Sequence, residues 1–128
     1  MKLNRVLITG GLGYIGSRLA QLLIESGYTV RIIDANFFGA SHLSKEISSG
    51  ALEFIEADIR NKDSVDNILE NIDAVIHLAA ISDDPCVELD EKISEQINFY
   101  ASLHLLKKSK EMGVHRFINA SSSTVYGV

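Results

Sequence analysis

The stretch Val6-Leu-Ile-Thr-Gly-Gly-Leu-Gly-Tyr-Ile-Gly16 decides the fold of this 128-residue chain, because it takes an apolar run directly into a glycine-rich turn. Gly11, Gly13 and Gly16 have the spacing G-x-G-x-x-G. Glycine has no Cβ atom, so the backbone can turn sharply after a strand and can approach a ligand closely. Gly16 removes a side chain where the following helix has to contact the strand. The stretch therefore predicts a strand, a tight turn and a helix in succession.

The residues around this turn indicate a dinucleotide site. An amphipathic pattern that includes Ile15, Leu19 and Leu22 follows the turn, and an acidic residue, Asp34, arrives about 20 residues further on. The free N–H groups of the first helical turn and the positive end of the helix dipole would face the phosphate oxygens. The residues predicted to contact the dinucleotide here are Gly10, Gly11, Gly13, Tyr14, Ile15 and Gly16. The alternative is a strand-to-helix turn without a ligand.

Asp34 ends the second predicted strand and bears on the choice of cofactor. A carboxylate at this position can accept hydrogen bonds from both ribose hydroxyls of an adenosine, and its charge would repel a 2′-phosphate. We therefore predict NAD as the cofactor in preference to NADP. The alternative is that Asp34 is a helix cap or a turn residue.

Composition limits the class of partner. The chain has 17 acidic and 12 basic residues and no basic block, which argues against a nucleic-acid or anionic-membrane surface and favours a small-molecule partner. Cys86 is the only cysteine, so neither an intrachain disulfide nor a cysteine-based zinc site is expected, and the sequence is compatible with the cytoplasm. The longest apolar run, Ala74 to Ile81, is far shorter than the roughly 20 residues that cross a bilayer.

Short aliphatic runs alternate with helical patterns along the chain, which is typical of βαβ units and a parallel sheet. The predicted strands are Arg5 to Thr9, Thr29 to Ile33, Leu52 to Glu56, Ala74 to Leu78 and Arg116 to Ala120. Helices are predicted from Tyr14 to Ser26, Lys62 to Glu70 and Glu91 to Met112, with a shorter one from Ser41 to Ser49. Right-handed crossovers give the strand order 3-2-1-4-5, so residues 1–128 form a single α/β domain, a doubly wound parallel sheet of the Rossmann type. Ligands bind to such sheets beyond the carboxyl ends of the strands.

The segment from Thr9 to Gly16 also fits T-G-x-x-G-x-x-G, and it resembles the extended short-chain dehydrogenase/reductase family of NAD-dependent nucleotide-sugar epimerases and dehydratases. The resemblance implies that Asp58 and Ile59, after the third strand, lie against the adenine. It also implies that Asn98 lies near the cofactor. The segment His77-Leu-Ala-Ala80 is similar to the family's H-x-A-A, whose small residues let the cofactor approach the backbone. This similarity adds Leu78, Ala79 and Ala80 to the predicted site.

Each of these positions also has a structural interpretation. Asp58 could cap a local turn, because aspartate readily bonds to nearby backbone N–H groups. Asn98 could be an ordinary solvent-facing residue of a helix. We expect His77 to be structural, since no sequence pattern pairs it with an acid, a nucleophile or a metal ligand.

A second motif, Ser121-Ser-Ser-Thr-Val-Tyr-Gly127, follows the last strand. It is similar to the S-S-S/T-x-V-Y-G segment of nucleotide-sugar epimerases, in which the Ser or Thr four positions before the Tyr contacts the reacting sugar hydroxyl. In this chain that residue is Ser122. The alternative is a polar turn at a strand end. An Asp-Glu pair, which sugar 4,6-dehydratases of the family carry, is absent at Ser123 and Thr124, so a dehydratase is less favoured.

The catalytic base that the resemblance implies is missing. In the family, a tyrosine of a Y-x-x-x-K pair removes the hydroxyl proton before hydride passes from the sugar to the nicotinamide. A free tyrosine has a pKa of about 10, so a nearby lysine charge is needed to ionise it at neutral pH. None of the four tyrosines of this chain is followed by lysine four positions later.

The resemblance therefore covers only the amino-terminal part of the family, without the substrate lobe. We expect a truncated protein that binds the dinucleotide weakly and does not turn over a nucleotide sugar alone. The alternatives are a free-standing nucleotide-binding or regulatory module, and an NADP-dependent reductase of the same family.

The long predicted helix carries two apolar stripes. At about 100° per residue, one stripe runs through Leu89, Ile93, Ile97, Ala101 and Leu105, and a second through Phe99, Leu103 and Leu106. The first can face the sheet. The second needs another cover, which is either a neighbouring helix from a longer chain or from another subunit, or the loop between Ala79 and Asp90. Self-association through this stripe or through the edge of strand five is therefore a further prediction.

Overall fold

A computed structural model describes residues 3–82, 90–122 and 126. Five parallel strands form one sheet in the order β3-β2-β1-β4-β5. Their bounds are β1 Arg5–Thr9, β2 Thr29–Asp34, β3 Leu52–Glu56, β4 Ala74–His77 and β5 Arg116–Asn119. The predicted fold class and strand order are confirmed.

The segments between the strands are helical. The helices are α1 Tyr14–Glu25, a 3-10 turn Ser41–Leu43 that leads into α2 Ser44–Ser48, and α3 Lys62–Ile68. A long helix, α4, consists of α-helical Glu91–Glu95 and Ser102–Glu111, joined by a π-helical turn over Gln96–Ala101. The sequence predicts one continuous helix there. The π turn differs from that expectation because it changes the hydrogen-bond pattern of the backbone without a compositional signal.

Strand β1 lies at the centre of the sheet. Val6 is opposite Val30 of β2 on one side and Ala74 of β4 on the other. The residues from Val6 to Thr9 are all buried, as expected for a parallel strand that is covered on both faces. At the carboxyl edge, Thr9 is opposite His77. Because all five strands are parallel, their carboxyl ends meet at this one edge.

Two apolar cores lie on opposite faces of the sheet, because successive strand residues point to opposite sides. On one face, Ile8 packs in a cluster with Ala20 of α1. On the other face, Leu7 and Val75 pack in a cluster with Leu105 of α4. The sheet is therefore fixed from both sides, and its carboxyl edge is a rigid platform.

The helices begin at the predicted residues, but α1, α3 and α4 end one or two residues earlier than predicted, at Glu25, Ile68 and Glu111. Gly27 and Gly113 follow α1 and α4 with φ angles of +86° and +78°, a conformation that favours glycine. Asn61 caps α3, and its side-chain oxygen accepts a hydrogen bond from the Ser64 N–H at 3.2 Å.

One helical stripe differs from its prediction. Ala101 and Leu105 are buried and Ile97 is half-buried, as expected, but Ile93 is exposed and Ser94 takes the buried position. The reason is geometric: one helical face is followed by alternating steps of three and four residues, and Ser94 lies three residues before Ile97.

The second stripe of α4 is open to solvent. Phe99 is 56% exposed, Leu106 is also exposed, and Leu103 is half-buried. Leu89 and Cys86 lie outside the described residues, as does most of the loop that could cover this stripe. Within the described part of the chain, β5 is an edge strand. No helix among the described residues is long and apolar enough to span a membrane.

Candidate functional site

The glycine turn after β1 is held between the ends of β2 and β4. Gly10 has a φ angle of +68°, and its N–H donates to the Ile33 carbonyl oxygen at 2.9 Å. A Cβ atom at Gly10 would lie 2.8 Å from the Cα atom of Ala79, and one at Gly11 would lie 2.5 Å from the Ile32 side chain. The packing of the turn therefore requires both glycines, whether or not a ligand is bound.

Gly16 and Gly13 differ in the space around them. A Cβ atom at Gly16 would lie 2.7 Å from the Gly10 carbonyl oxygen and 2.7 Å from the Gly11 Cα atom, so Gly16 closes the turn onto itself. Gly13 has a φ angle of −69°, which any residue adopts. Among the described atoms within 4 Å, its Cβ would meet only the Gly10 carbonyl oxygen, at 3.3 Å. The open side of the turn is therefore at Gly13.

The amino terminus of α1 begins at this open side. Gly13 is the N-cap, no described side chain caps the helix, and its first turn contains no acidic residue. Tyr14 is 96% exposed, and Ile15 is also exposed. The first N–H groups of a helix have no intrahelical acceptor and lie at the positive end of its dipole. Gly13, Tyr14 and Ile15 are thus exposed at a helix terminus of the kind that suits an anion, whereas Gly11 and Gly16 are buried beneath it.

Asp34 joins the glycine turn to the end of β2. One carboxylate oxygen, Oδ2, accepts a hydrogen bond from the Leu12 N–H at 3.0 Å, and Oδ1 accepts one from the Asn36 N–H at 2.9 Å. The second bond is the local turn contact that the alternative interpretation predicts. Each carboxylate oxygen has a further lone pair, so the same group can still accept hydrogen bonds from a ligand.

Asn36 is a residue at this edge that the sequence analysis missed. It adopts a left-handed conformation with φ of +60°, and its side-chain Nδ2 donates to Glu56 Oε2 at 2.8 Å, which links the ends of β2 and β3. Its Oδ1 atom is buried without a hydrogen-bond partner among the described residues. The available signal was its residue type, since asparagine tolerates this conformation better than most residues.

Asp58 follows β3, as predicted, but it is paired with a residue that was not predicted. Its Oδ1 accepts a hydrogen bond from the Arg60 N–H at 2.8 Å, and its Oδ2 lies 2.5 Å from Nη2 of the same arginine. The Arg60 guanidinium holds the pKa of the Asp58 carboxyl below its usual value. The Ile59 side chain is 6% exposed and packs in the core, so a ligand at this position would meet the Ile59 main chain.

The segment from His77 to Ala80 crosses close to the glycine turn. Thr9 Oγ1 accepts hydrogen bonds from the Leu78 and Ala79 N–H groups, each at 3.2 Å. Ala79 Cα is the atom that a side chain at Gly10 would strike. The His77 ring is 3% exposed, and burial lowers its pKa. Leu78 and Ala79 are half-buried and Ala80 is exposed, beside the glycine turn at the carboxyl edge of the sheet.

Asn98 lies in the π turn of α4 and contacts the loop after β4. Its Oδ1 accepts a hydrogen bond from the Ile81 N–H at 2.8 Å, and its Nδ2 donates to the Ile81 carbonyl oxygen at 2.8 Å. The Asn98 side chain thus holds the main chain at Ile81 by two hydrogen bonds.

The chain is similar to known proteins along most of its length. The model of the NAD dependent epimerase/dehydratase family matches residues 6–128. The chain belongs to this epimerase/dehydratase family.

Individual members of the epimerase/dehydratase family are similar over nearly the whole chain. It is 34% identical to UDP-glucose 4-epimerase of Bacillus subtilis, over 96% of this chain and 38% of that protein. It is 36% identical to a UDP-N-acetyl-alpha-D-glucosaminuronate decarboxylase of Bacillus cytotoxicus, over 97% of this chain and 38% of that protein. A solved UDP-glucose-4-epimerase of Stenotrophomonas maltophila, with bound NAD and formylated UDP-arabinopyranose, matches with a TM-score of 0.85 and 32% identity, covering 98% of this chain and 39% of that chain. The chain thus spans less than two fifths of the length of these relatives.

The last predicted segment of the family motif lies only partly within the described residues. Ser122 is exposed and follows β5 at the carboxyl edge of the sheet. The Ala120 N–H donates to the His77 carbonyl oxygen at 3.1 Å, which brings this segment beside β4. Ser123, Thr124, Val125 and Gly127 lie outside the described residues.

Proposed function

We propose that this chain is the NAD-binding portion of a nucleotide-sugar epimerase/dehydratase-like oxidoreductase. The observation that carries the proposal is the uncapped amino terminus of α1 at the exposed Gly13. A Cβ atom would lie closer than 3.0 Å to other atoms at Gly10, Gly11 and Gly16, whereas at Gly13 its one contact within 4 Å among the described atoms, with the Gly10 carbonyl oxygen at 3.3 Å, would need a shift of only a few tenths of an ångström. A pyrophosphate that approaches this backbone would explain why a residue without a side chain is needed at Gly13.

The adenosine half of the cofactor would lie across β2 and β3. Asp34 would accept hydrogen bonds from the ribose hydroxyls, and its charge would disfavour the 2′-phosphate of NADP. Asp58 would face the adenine, with the main chain of Ile59 beside it. The pairing of Asp58 with Arg60 supports this role, because the pair keeps the acceptor ionised and fixed in orientation.

The nicotinamide half would extend along the crevice between β1 and β4. Leu78, Ala79 and Ala80 would line it, and Asn98 would act on it through the Ile81 main chain that it holds. The close approach of Ala79 to Gly10 supports this assignment, because it leaves no bulky side chain between the two strand ends.

The chemistry would be a transient hydride transfer. NAD, when bound, accepts a hydride from a sugar carbon that carries a hydroxyl group. Ser122 would hydrogen-bond that hydroxyl and orient it. Removal of the hydroxyl proton needs a base, and no tyrosine of this chain has a lysine four positions later. We therefore propose that residues 1–128 bind the cofactor without turning over a nucleotide sugar by themselves.

Calorimetric titration of the 128-residue chain with NAD and with NADP tests the binding proposal. We expect NAD to bind more tightly, and Asp34→Asn to reduce this preference. A matched control is Glu53→Gln, which removes the same charge from β3 at a residue paired with Arg31. Tighter binding of NADP, or an equal loss of preference in both variants, would refute the assignment of Asp34.

An absorbance assay tests the catalytic part of the proposal separately. The chain is mixed with NAD and UDP-glucose, and reduced nicotinamide is followed over time. We expect no reduction. Its appearance would show that the chain holds a base other than the Y-x-x-x-K tyrosine.

We further propose that the chain associates with a second copy of itself through the exposed stripe of Phe99, Leu103 and Leu106 on α4, or through the β5 edge. Light scattering should give a mass above that of the monomer. Leu106→Lys should lower it, while Leu22→Lys, at an exposed leucine of α1, should not. A strictly monomeric wild-type chain would contradict this proposal.

A further inference from the structure

A buried imidazole joins the sheet to the long helix. His77 Nδ1 lies 2.6 Å from Thr9 Oγ1, and His77 Nε2 lies 2.7 Å from Ser102 Oγ. The ring also packs at a tilt against Phe117, with 6.2 Å between ring centroids. Both ring nitrogens therefore have a hydroxyl partner, one on β1 and one on α4.

The hydrogen bonds of Thr9 fix the direction of the first contact. A hydroxyl has one donor and two acceptor lone pairs. Thr9 Oγ1 already accepts hydrogen bonds from the Leu78 and Ala79 N–H groups. The Leu78 N–H also donates to the Thr9 carbonyl oxygen. Its remaining hydrogen is free to donate only to His77. The Nδ1 atom must therefore be unprotonated.

The contacts of Ser102 indicate the same tautomer of His77 at the Nε2 atom. Ser102 Oγ donates its hydrogen to the Ile97 carbonyl oxygen at 3.3 Å, and these residues are five apart, the separation of a π-type bond. Having used its hydrogen there, Ser102 Oγ can only accept from His77. This arrangement favours a proton on Nε2 of the neutral ring.

We propose that His77 is a positioning residue, locked as the neutral Nε2-protonated tautomer, which ties the end of β1 to the π turn of α4 and so sets the spacing across the crevice. One end of the chain of bonds is Thr9, next to the glycine turn, and the other is the π turn that carries Asn98. Asn98 in turn holds Ile81. Burial lowers the pKa of His77, which favours the neutral ring that this arrangement needs.

The alternatives leave bonds unsatisfied. The Nδ1-protonated tautomer would point an N–H at a threonine oxygen whose lone pairs are already used, and would remove the donor to Ser102. A protonated ring would make the same clash at Thr9 and would carry an unpaired buried charge. With a proton on Nε2 alone, Thr9, His77 and Ser102 all have hydrogen-bond partners of the right kind.

Nitrogen-15 NMR of the imidazole rings in the full chain tests the tautomer directly. Near neutral pH, we expect His77 to give an unprotonated-type Nδ1 signal and a protonated-type Nε2 signal. The reverse pattern, or two averaged signals, would overturn the proposal. This measurement needs no cofactor, so it stands even if the proposed NAD site is wrong.

The positioning effect rests on the proposed function and is tested by variants. In Ser102→Ala, both tautomers of His77 should be populated, so the two nitrogen signals should average. The same variant should bind NAD about fivefold more weakly, as expected for the loss of one net hydrogen bond. Ser109→Ala is the matched control, since Ser109 is also buried on α4 but has no described hydrogen-bond partner for its hydroxyl. It should change neither reading.

A second pair of variants separates positioning from loss of folding. Thr9→Ser keeps the hydroxyl and should retain both the NMR pattern and the NAD affinity, while Thr9→Val should lose both. Thermal unfolding of each variant shows which of them remain folded. If Ser102→Ala and Thr9→Val fold but leave the His77 signals unchanged, the proposal is wrong. If the signals change while wild-type NAD affinity persists, the tautomer is right and the positioning role is wrong.

Discussion

Gly13→Ala distinguishes a glycine that is needed by a ligand from one that is needed by the fold. Gly13 has an ordinary φ of −69°, and a Cβ atom there would meet only the Gly10 carbonyl oxygen, at 3.3 Å, among the described atoms within 4 Å. We expect the variant to fold and to lose affinity for NAD, because the new methyl group would occupy the place where the pyrophosphate approaches the backbone.

The magnitudes follow from the same geometry. Alanine is a poorer N-cap than glycine, which costs on the order of 0.5 to 1 kcal/mol. The stiffer unfolded chain offsets about 0.4 to 1 kcal/mol of that. The free energy of unfolding should therefore change by less than about 1 kcal/mol. A methyl group forced against a bound phosphate costs about 1 to 3 kcal/mol, which corresponds to a loss of NAD affinity of about 5- to 150-fold.

Gly16→Ala is the matched comparison. Its Cβ atom would lie 2.7 Å from the Gly10 carbonyl oxygen and from the Gly11 Cα atom, and backbone atoms cannot move aside alone. The overpacking cost of about 1 to 3 kcal/mol exceeds the roughly 1 kcal/mol gained from replacing a helical glycine. Urea denaturation measures the free energy of unfolding of both variants, and titration with NAD measures their affinity. If Gly13→Ala binds NAD like the wild type, or is as destabilised as Gly16→Ala, the reasoning is refuted.

Three further predictions concern single groups. Because burial lowers the pKa of His77, the unfolded chain takes up the proton first as the pH falls below about 6.5, so the free energy of unfolding should decrease there in urea denaturation; a flat profile would contradict a buried neutral ring. Arg60→Ala should raise the pKa of Asp58 in an NMR titration, while the free energy of unfolding changes by less than about 1 kcal/mol because the pair is partly exposed. Asn61→Ala should lower the free energy of unfolding by about 1 kcal/mol through loss of the α3 cap, and Asn61→Asp should not.

The strands and the glycine turn were predictable from the sequence. The predicted bounds of β1 and β3 agree with the structure, and those of the other strands differ by one residue at the carboxyl end. Buried parallel strands are short apolar runs between turn residues, and these are visible locally. The turn was predictable because the close packing at Gly10, Gly11 and Gly16 excludes other residue types.

The polar connections between elements were not predictable in the same way. Ser102 and His77 are 25 residues apart, and their hydrogen bond depends on how α4 packs against the sheet. The π turn that ends directly before Ser102 is a change of the backbone hydrogen-bond pattern. Arg60 was missed although it lies two residues from Asp58, because a nearby opposite charge is common and its geometry decides whether it pairs.

The hydrogen bond from the Leu12 N–H to Asp34 has a consequence for redesign. If Asp34 has the proposed role, replacing it with a small neutral residue would admit a 2′-phosphate, but it would also remove the bond from Leu12 and leave the bond from the Gly10 N–H to the Ile33 carbonyl oxygen to hold the glycine turn to β2. An engineered exchange of cofactor preference therefore has to supply a new acceptor for Leu12, together with a cation for the phosphate. Under the proposed role of Asp34, the preference between the two dinucleotides and the shape of the turn depend on the same carboxylate.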